Sequence, residues 1–357
     1  MIKPASAACN LACDYCFYLD TAAHRSEGTF PLMSDEVADA IITRSLDEAE
    51  SVHFVFQGGE PSLAGLPFFE RFVARATAYK GDEQRIFWAF QTNGLRLDAA
   101  WAAFLRDHDF LVGISLDGSP RIHDLHRADH AGRGSGRRVA GAIEVAKAEG
   151  VQFNVLSVVT DQMADNTERA WRWLVDHGVR YHQHIACMDP IERGESFLRP
   201  SSYTRFLKES FDLWYDSFMQ GAEVSVRFFD NIVGMLLGLE PESCDMAGVC
   251  SANYVVESNG NIYPCDFYCF DDQILGNILT GSYADFDEHR RQLRFIEDSP
   301  NTIDECQTCQ WKALCRGGCK RYRSPEGYKF CSSMKEFFPY AIRRFEQVAT
   351  IVAGGRR

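Results

Sequence analysis

The chain has 357 residues, 46% of them hydrophobic and 24% charged, with a formal net charge of −13. These are the values of a globular protein with one large domain and one smaller one; the acidity excludes a general nucleic-acid binder, which needs a basic face. No apolar run reaches the eighteen residues of a membrane helix, and Lys3 and Pro4 replace any signal-peptide pattern, so no membrane association and a cytoplasmic location are expected.

Residues 2–6 read as a first short strand. Behind it stand Cys9, Cys13 and Cys16, with Tyr15 and Phe17 flanking the last cysteine. Three thiolates hold three irons of a four-iron cluster and leave the fourth iron open to another molecule, whereas cluster sites usually have four cysteines. Zinc prefers paired C-x2-C hooks and four ligands.

Further strands are expected at 52–57, 86–92, 110–116, 152–159 and 180–185, short and rich in Val, Ile and Phe as buried parallel strands are. Helices fit between them: one capped by Ser34 and running to 48, then 67–78, 98–107, 138–149, 167–177 and 202–220. Six strand-then-helix units imply a parallel α/β sheet with right-handed crossovers. Six are too few for a closed eight-stranded barrel, so an open, partial (β/α)6 barrel is expected.

Ligands bind beyond the carboxyl ends of such strands. Three polar turns fall there: Gln57-Gly58-Gly59-Glu60-Pro61, then Gln91-Thr92-Asn93-Gly94, then Ser115-Leu116-Asp117-Gly118 with His123 and Arg127 after it. Each alone is an ordinary turn, and Arg127 alone an ordinary surface charge. Their placement at three successive strand ends, downstream of one cysteine triplet, makes them a candidate site. The two glycines would let a backbone approach a ligand closely. The run 131–138 reads as a mobile loop, and His182, His184 and Cys187 near the sixth strand read as packing residues.

Thirteen cysteines in a chain without an export signal point to metal rather than disulfides. Nine of them lie between Cys244 and Cys331. Cys244, Cys250 and Cys265 are spaced C-x5-C-x14-C; Cys306, Cys309, Cys315 and Cys319 follow as C-x2-C-x5-C-x3-C; Cys331 comes after eleven intervening residues. Eight cysteines suffice for two fully ligated clusters. Spacing leaves their division open, and Cys306-x2-Cys309 alone also fits zinc. Cys269 is left over. Gly317 and Gly318 suit a cradle for a cluster. Asn259-Gly260 reads as a two-residue hairpin turn that delivers Cys265. Asp266 follows directly, among Pro264, Phe267 and Tyr268, which would dehydrate it and raise its pKa toward that of a base.

The triplet, with the turns after it, resembles the signature of radical S-adenosylmethionine (SAM) enzymes. The block from Cys306 to Cys319 resembles their SPASM extension, which carries two auxiliary four-iron clusters. The run Pro264-Cys265-Asp266-Phe267-Tyr268, with Leu275-Gly276-Asn277-Ile278 after it, closely resembles anaerobic sulfatase-maturating enzymes, and the likeness runs from residue 2 to Cys331. The resemblance implies a radical SAM partial barrel over 1–230 and a SPASM domain with a C-terminal helix over 231–357. It implies three [4Fe-4S] clusters, held by Cys9, Cys13 and Cys16; by Cys244, Cys250, Cys265 and Cys319; and by Cys306, Cys309, Cys315 and Cys331. It further implies SAM contacts at Tyr18, Gly58, Gly59 and Glu60 (the GGE motif, for the amino group), Ser115 and Arg127 (carboxylate and ribose) and Met188 (adenine).

In that family the residue equivalent to Asp266 is the general base. The implied reaction turns a Cys or Ser side chain into formylglycine without oxygen: a 5′-deoxyadenosyl radical takes the Cβ hydrogen, Asp266 takes the thiol or hydroxyl proton, and an auxiliary cluster takes the remaining electron. The implied partners are an unfolded sulfatase or peptide bearing a Cys/Ser-x-Pro/Ala-x-Arg motif and a flavodoxin- or ferredoxin-type electron donor. Three alternatives compete: a SPASM enzyme that crosslinks a ribosomal peptide, a non-catalytic iron–sulfur electron carrier, and a zinc-dependent nucleic-acid module. The triplet so early in the chain leaves no visible peptide-recognition domain before it, and the strand-end turns speak against a mere carrier.

Overall fold

The first strand is shorter than the sequence implies. In the computed structural model, which describes residues 1–192, 194 and 196–355, β1 covers only Ile2–Lys3. Pro4 cannot donate to a ladder, and Ser6 takes a positive φ of 52° with its N–H bonded to the Lys3 carbonyl. The chain thus turns at once toward the cysteines instead of extending to residue 6.

Packing divides the chain into two units. One comprises Met1–Leu116, His123–Asn154 and Ala252–Phe295; the other comprises Asp117–Ile122, Val155–Ser251 and Ile296–Arg357. Strands β2 (Ser51–Phe56), β3 (Arg85–Thr92) and β4 (Leu111–Ser115) belong to the first. Strand β5 (Phe153–Val159) starts in the first unit and continues into the second, which holds β6 (Tyr181–Ala186) and β7 (Ser225–Val226). Strands β8 (Val255–Glu257), β9 (Asn261–Tyr263) and β10 (Gly276–Asn277) return to the first. The six expected strands are all present, within a residue or two at each end apart from the first.

In the first unit β1, β2, β3 and β4 lie side by side and parallel, with Ile2 opposite Phe56, Phe56 opposite Phe90 and Thr92 opposite Ile114. The other side of β1 pairs in parallel with β8, Ile2 opposite Val256 and Lys3 opposite Glu257. Strand β9 runs antiparallel to β8, and β10 antiparallel to β9. The β8–β9 turn holds three residues, Ser258 to Gly260, not two. The pairing of Val256 with Ile262 fixes this count, and Gly260 closes the loop at φ +88° with its N–H on the Glu257 carbonyl. A side chain at 260 would also sit 2.9 Å from Asn277 Oδ1.

The helices begin where the caps predict. Ser34 accepts from the Val37 N–H at the start of Asp35–Glu48, and Asp98 from that of Trp101 at the start of Ala99–Asp107. Under them Phe54, Phe56, Phe69, Phe72, Phe90 and Trp101 interlock mostly edge to face, with the Phe56 and Phe69 centroids 5.0 Å apart. Each such buried ring contributes about 2 kcal/mol. The second unit packs Pro200–Met219, Arg227–Leu236 and the long Cys331–Gly354 helix around Phe211, Phe229, Phe337 and Phe345. No helix among the described residues is long and apolar enough to cross a membrane.

Candidate active site

The loop carrying Cys9, Cys13 and Cys16 is clamped from residues 126–129. Leu11 bridges Asp129, the Ala12 N–H bonds the Ala128 carbonyl at 2.8 Å, and the Asp14 N–H bonds that of His126. Cys16 then caps the helix Phe17–Ala23. Arg127 lies over the Tyr15 ring, 5.4 Å from its centroid. Asn93, from the turn after β3, donates its amide to Asn10 at 2.7 Å and to the Cys9 sulfur at 3.6 Å. The triplet and the third strand end therefore share one site.

Gly58 and Gly59 make a close approach to the chain itself. Their backbone lies against the chain's own residues 6–8: the Gly59 and Glu60 N–H groups bond the Ser6 and Ala8 carbonyls at 2.8 Å each. A Cβ on Gly59 would stand 2.2 Å from the Ala8 oxygen. Glu60 is fully buried, and its carboxylate accepts from the Ser62 N–H, the Thr92 hydroxyl and the Asn93 N–H at 2.7 to 3.0 Å. Burial pushes its pKa up, against these donors. It braces the turns after β2 and β3 against each other. Ser115, at the end of β4, accepts from the Gln91 amide at 3.2 Å. Met188 is buried in the second unit, where its carbonyl accepts from Cys187.

Asp266 follows β9, and the β1–β8 pairing brings it back to the start of the chain. Tyr18 donates its hydroxyl to Asp266 Oδ2 at 2.5 Å, and the Gln57 amide donates to Tyr18 at 2.7 Å and to the same carboxylate oxygen at 3.3 Å. Tyr18, expected as a cofactor contact, is thus bonded to the candidate base. Asp266 Oδ1 has no hydrogen-bond partner among the described residues; Lys3 Nζ is 4.0 Å away. Burial pushes the Asp266 pKa up, and Lys3 and Tyr18 only partly oppose it.

Lys3 is itself buried and bonds Glu257 at 2.8 Å; Arg25 bonds the same oxygen at 2.8 Å. Burial alone would push Lys3 down, but Cys269, Glu257 and Asp266 together push it up, so it stays charged. Lys3, Arg25 and Glu257 were not singled out from the sequence, and Gln57 was read only as part of the turn after the second strand. A local signal existed for Lys3 alone, a charge in an otherwise apolar opening; Glu257 ends the short run Tyr254-Val255-Val256, and the two face each other across β1 and β8. Cys269 is buried, its thiol pushed up to about 12 by burial, and it donates to the Cys265 carbonyl. Its sulfur accepts from Lys3 Nζ at 3.9 Å, which ties it to the buried charges around Lys3.

In the second unit Cys306, Cys309, Cys315 and Cys331 line one cavity with Asn301, Gly317 and Tyr328. Cys319 has Cys244 and Cys250 as neighbours. The donors around both are thiols, and no three ligating side chains among the described residues converge on a point where one metal ion would sit. Four thiols around a cavity suit a cluster better than a zinc ion. Burial pushes Cys9, Cys315 and Cys319 up to about 11, and the positive charge of bound iron would favour their thiolates. Gly317 stands at φ +79°, where a Cβ would lie 2.5 Å from the Asn301 amide.

Comparison with known proteins agrees with this geometry. Residues 4–174 match the Radical SAM superfamily, and residues 244–310 match the SPASM iron–sulfur cluster-binding domain. A cysteine-type anaerobic sulfatase-maturating enzyme of Clostridium perfringens is 41% identical over 98% of this chain and 97% of its own. The chain belongs to the anaerobic sulfatase-maturating enzymes. It is a radical SAM oxidoreductase of that family, whose members carry three [4Fe-4S] clusters. A serine-type member from Klebsiella pneumoniae is 31% identical over 95% of this chain and 86% of its own. The solved structure of native anSMEcpe with bound AdoMet and Cp18Cys peptide superimposes with a TM-score of 0.93, at 39% identity over 98% of each chain.

Proposed function

We propose that this chain oxidises the Cβ of a cysteine in a sulfatase segment to give Cα-formylglycine, with Asp266 as the base. The observation that carries the reading is the buried carboxylate beside Cys265, one oxygen held by Tyr18 and Gln57 and the other without a donor. An unbonded carboxylate oxygen in a dry site is an acceptor in want of a proton.

When bound, SAM and its cluster supply a hydrogen-abstracting carbon radical, and the C-terminal clusters supply an outlet for one electron. The rest falls to the chain's own residues. Asp266 Oδ1 takes the thiol proton, its raised pKa suiting it to hold one. Tyr18 and Gln57 keep Oδ2 fixed, so that Oδ1 has one orientation. Lys3 keeps a positive charge near a carboxylate that must begin the reaction ionised. The side chain loses one hydrogen atom, one proton and one electron; the resulting thioaldehyde is hydrolysed by water to the aldehyde, releasing hydrogen sulfide.

On this reading Cys9, Cys13 and Cys16 hold the radical-forming cluster. Gly58, Gly59, Glu60, Ser115, Arg127 and Met188 shape or contact the SAM site. Cys244, Cys250, Cys265 and Cys319 hold one auxiliary cluster, and Cys306, Cys309, Cys315 and Cys331 the other. The substrate is a peptide or unfolded sulfatase with a Cys-x-Pro/Ala-x-Arg motif, and a flavodoxin- or ferredoxin-type protein delivers the electrons. Thirteen free cysteines support a reducing compartment such as the cytoplasm. The higher identity to cysteine-type members than to serine-type ones supports cysteine as the preferred target. Anaerobic turnover of two peptides differing only in Cys or Ser at the target tests the reading. Formylglycine should form on the Cys peptide, and faster than on the Ser peptide; SAM cleavage with neither peptide changed in mass refutes it.

A further inference from the structure

We propose that Asn301 sets the reduction potential of the cluster held by Cys306, Cys309, Cys315 and Cys331. The inference rests on those four cysteines forming one site. Asn301 Nδ2 donates to the Cys306 sulfur at 3.2 Å, a short N–H···S contact. The amide has no freedom to turn away. Its Oδ1 accepts from the Ile303 N–H at 3.0 Å, and its own backbone carbonyl accepts from the Gln307 side chain at 2.6 Å.

Gly317 keeps the space for this amide. A Cβ there would stand 2.5 Å from Asn301 Nδ2 and 2.9 Å from its Cβ. The same glycine lines the cavity with the four cysteines. The asparagine, the glycine and the sulfur thus form one fitted contact.

The physical consequence follows from charge. Reduction adds one negative charge to a cluster, and part of it resides on the cysteine sulfurs. An N–H aimed at a sulfur stabilises the reduced form more than the oxidised one and raises the potential. Three cations also line the cavity: Lys312 Nζ bonds Gln307, Arg316 pairs with the exposed Glu240, and Lys335 pairs with Glu305, both of the last pair being substantially exposed. Solvent screens that pair, so the direct amide bond is the stronger lever on this site. Asn301 is accordingly a positioning residue for electron flow, acting through Cys306 rather than on the substrate.

The test uses the full chain with Cys9, Cys13 and Cys16 replaced by Ala, so that only the C-terminal clusters remain, reconstituted without oxygen. Asn301→Ala removes the donor. Asn301→Asp keeps the shape and the acceptor for the Ile303 N–H but places a negative oxygen at the sulfur. Reductive titration followed by electron paramagnetic resonance reads each cluster's midpoint. One midpoint should move to more negative potential in Asn301→Ala and further in Asn301→Asp, while the other stays. Midpoints unmoved with iron retained overturn the proposal. Loss of iron from one site in Asn301→Asp also overturns it, in favour of a structural role. A parent protein that binds fewer than about eight irons refutes instead the cluster reading beneath it, which separates the two failures.

Discussion

Tyr18 and Asp266 are joined by a 2.5 Å hydrogen bond across 248 positions of sequence. The bond exists because β8 pairs directly with β1, so the segment after the β8–β9 hairpin returns to the segment that follows the first strand. Tyr18 is the second residue of the helix that begins directly after Cys16. The candidate base is therefore fixed relative to the triplet through an element of a few residues.

Replacing Tyr18 by Phe removes the shorter of the two donors to Asp266 Oδ2 and leaves Gln57 at 3.3 Å. A hydrogen bond to a charged group is worth about 2 kcal/mol, so peptide oxidation should slow by roughly 30-fold. The comparison that matters is with SAM cleavage in the absence of peptide, which should stay near the parent rate. Parallel loss of both activities would place Tyr18 in SAM binding instead.

The buried charges around Lys3 should be costly to disturb. Glu257 is fully buried and takes hydrogen bonds from Lys3 and Arg25. Glu257→Gln leaves two buried cations short of a counter-charge, at a cost of about 3 kcal/mol. Equilibrium denaturation of parent and variant at one pH measures it. A difference below about 1 kcal/mol would mean that water or rearrangement satisfies the cations.

His182 gives a pH dependence with a definite sign. It is buried, donates from Nε2 to the Val179 carbonyl, and its Nδ1 has no partner among the described residues. Burial lowers its pKa from 6.5 to about 4. The fold holds it neutral, while the unfolded chain protonates it below its ordinary pKa. Its contribution to stability is complete above about pH 6.5 and is lost as pH falls toward 4. By pH 5 the loss is about 2 kcal/mol. His184, lowered by burial to about 3, adds a loss of the same sign, so denaturation at pH 7 and pH 5 should show a larger total drop in the parent and one smaller by about the His182 share in His182→Gln.

Much of this site could be read from residue types and spacing. The cysteines, the strand-end turns and Asp266 each carry a local signal: a fixed interval, a glycine, a charge beside a ligand. What could not be read was the long-range pairing. The two-residue β1 has no periodicity to speak of, and nothing local to residues 255–263 says which strand they join. Lys3, Arg25 and Glu257 meet only through that pairing, so their partnership was invisible until the sheet order was known. Gly58 and Gly59 carry a signal of the same limited kind. Glycine announces a close approach but not what approaches, and here it is the backbone of residues 6–8.

Asp266 is the proposed acceptor of the substrate proton, and Asp266→Asn tests that role most directly. The substitution keeps the shape and removes the base. In an anaerobic, iron-reconstituted protein given SAM, reductant and a Cys-x-Pro-x-Arg peptide, the variant should still cleave SAM and should form formylglycine at least about 100-fold more slowly than the parent, as loss of a general base entails. Formylglycine formed at the parent rate would mean that another group takes the proton.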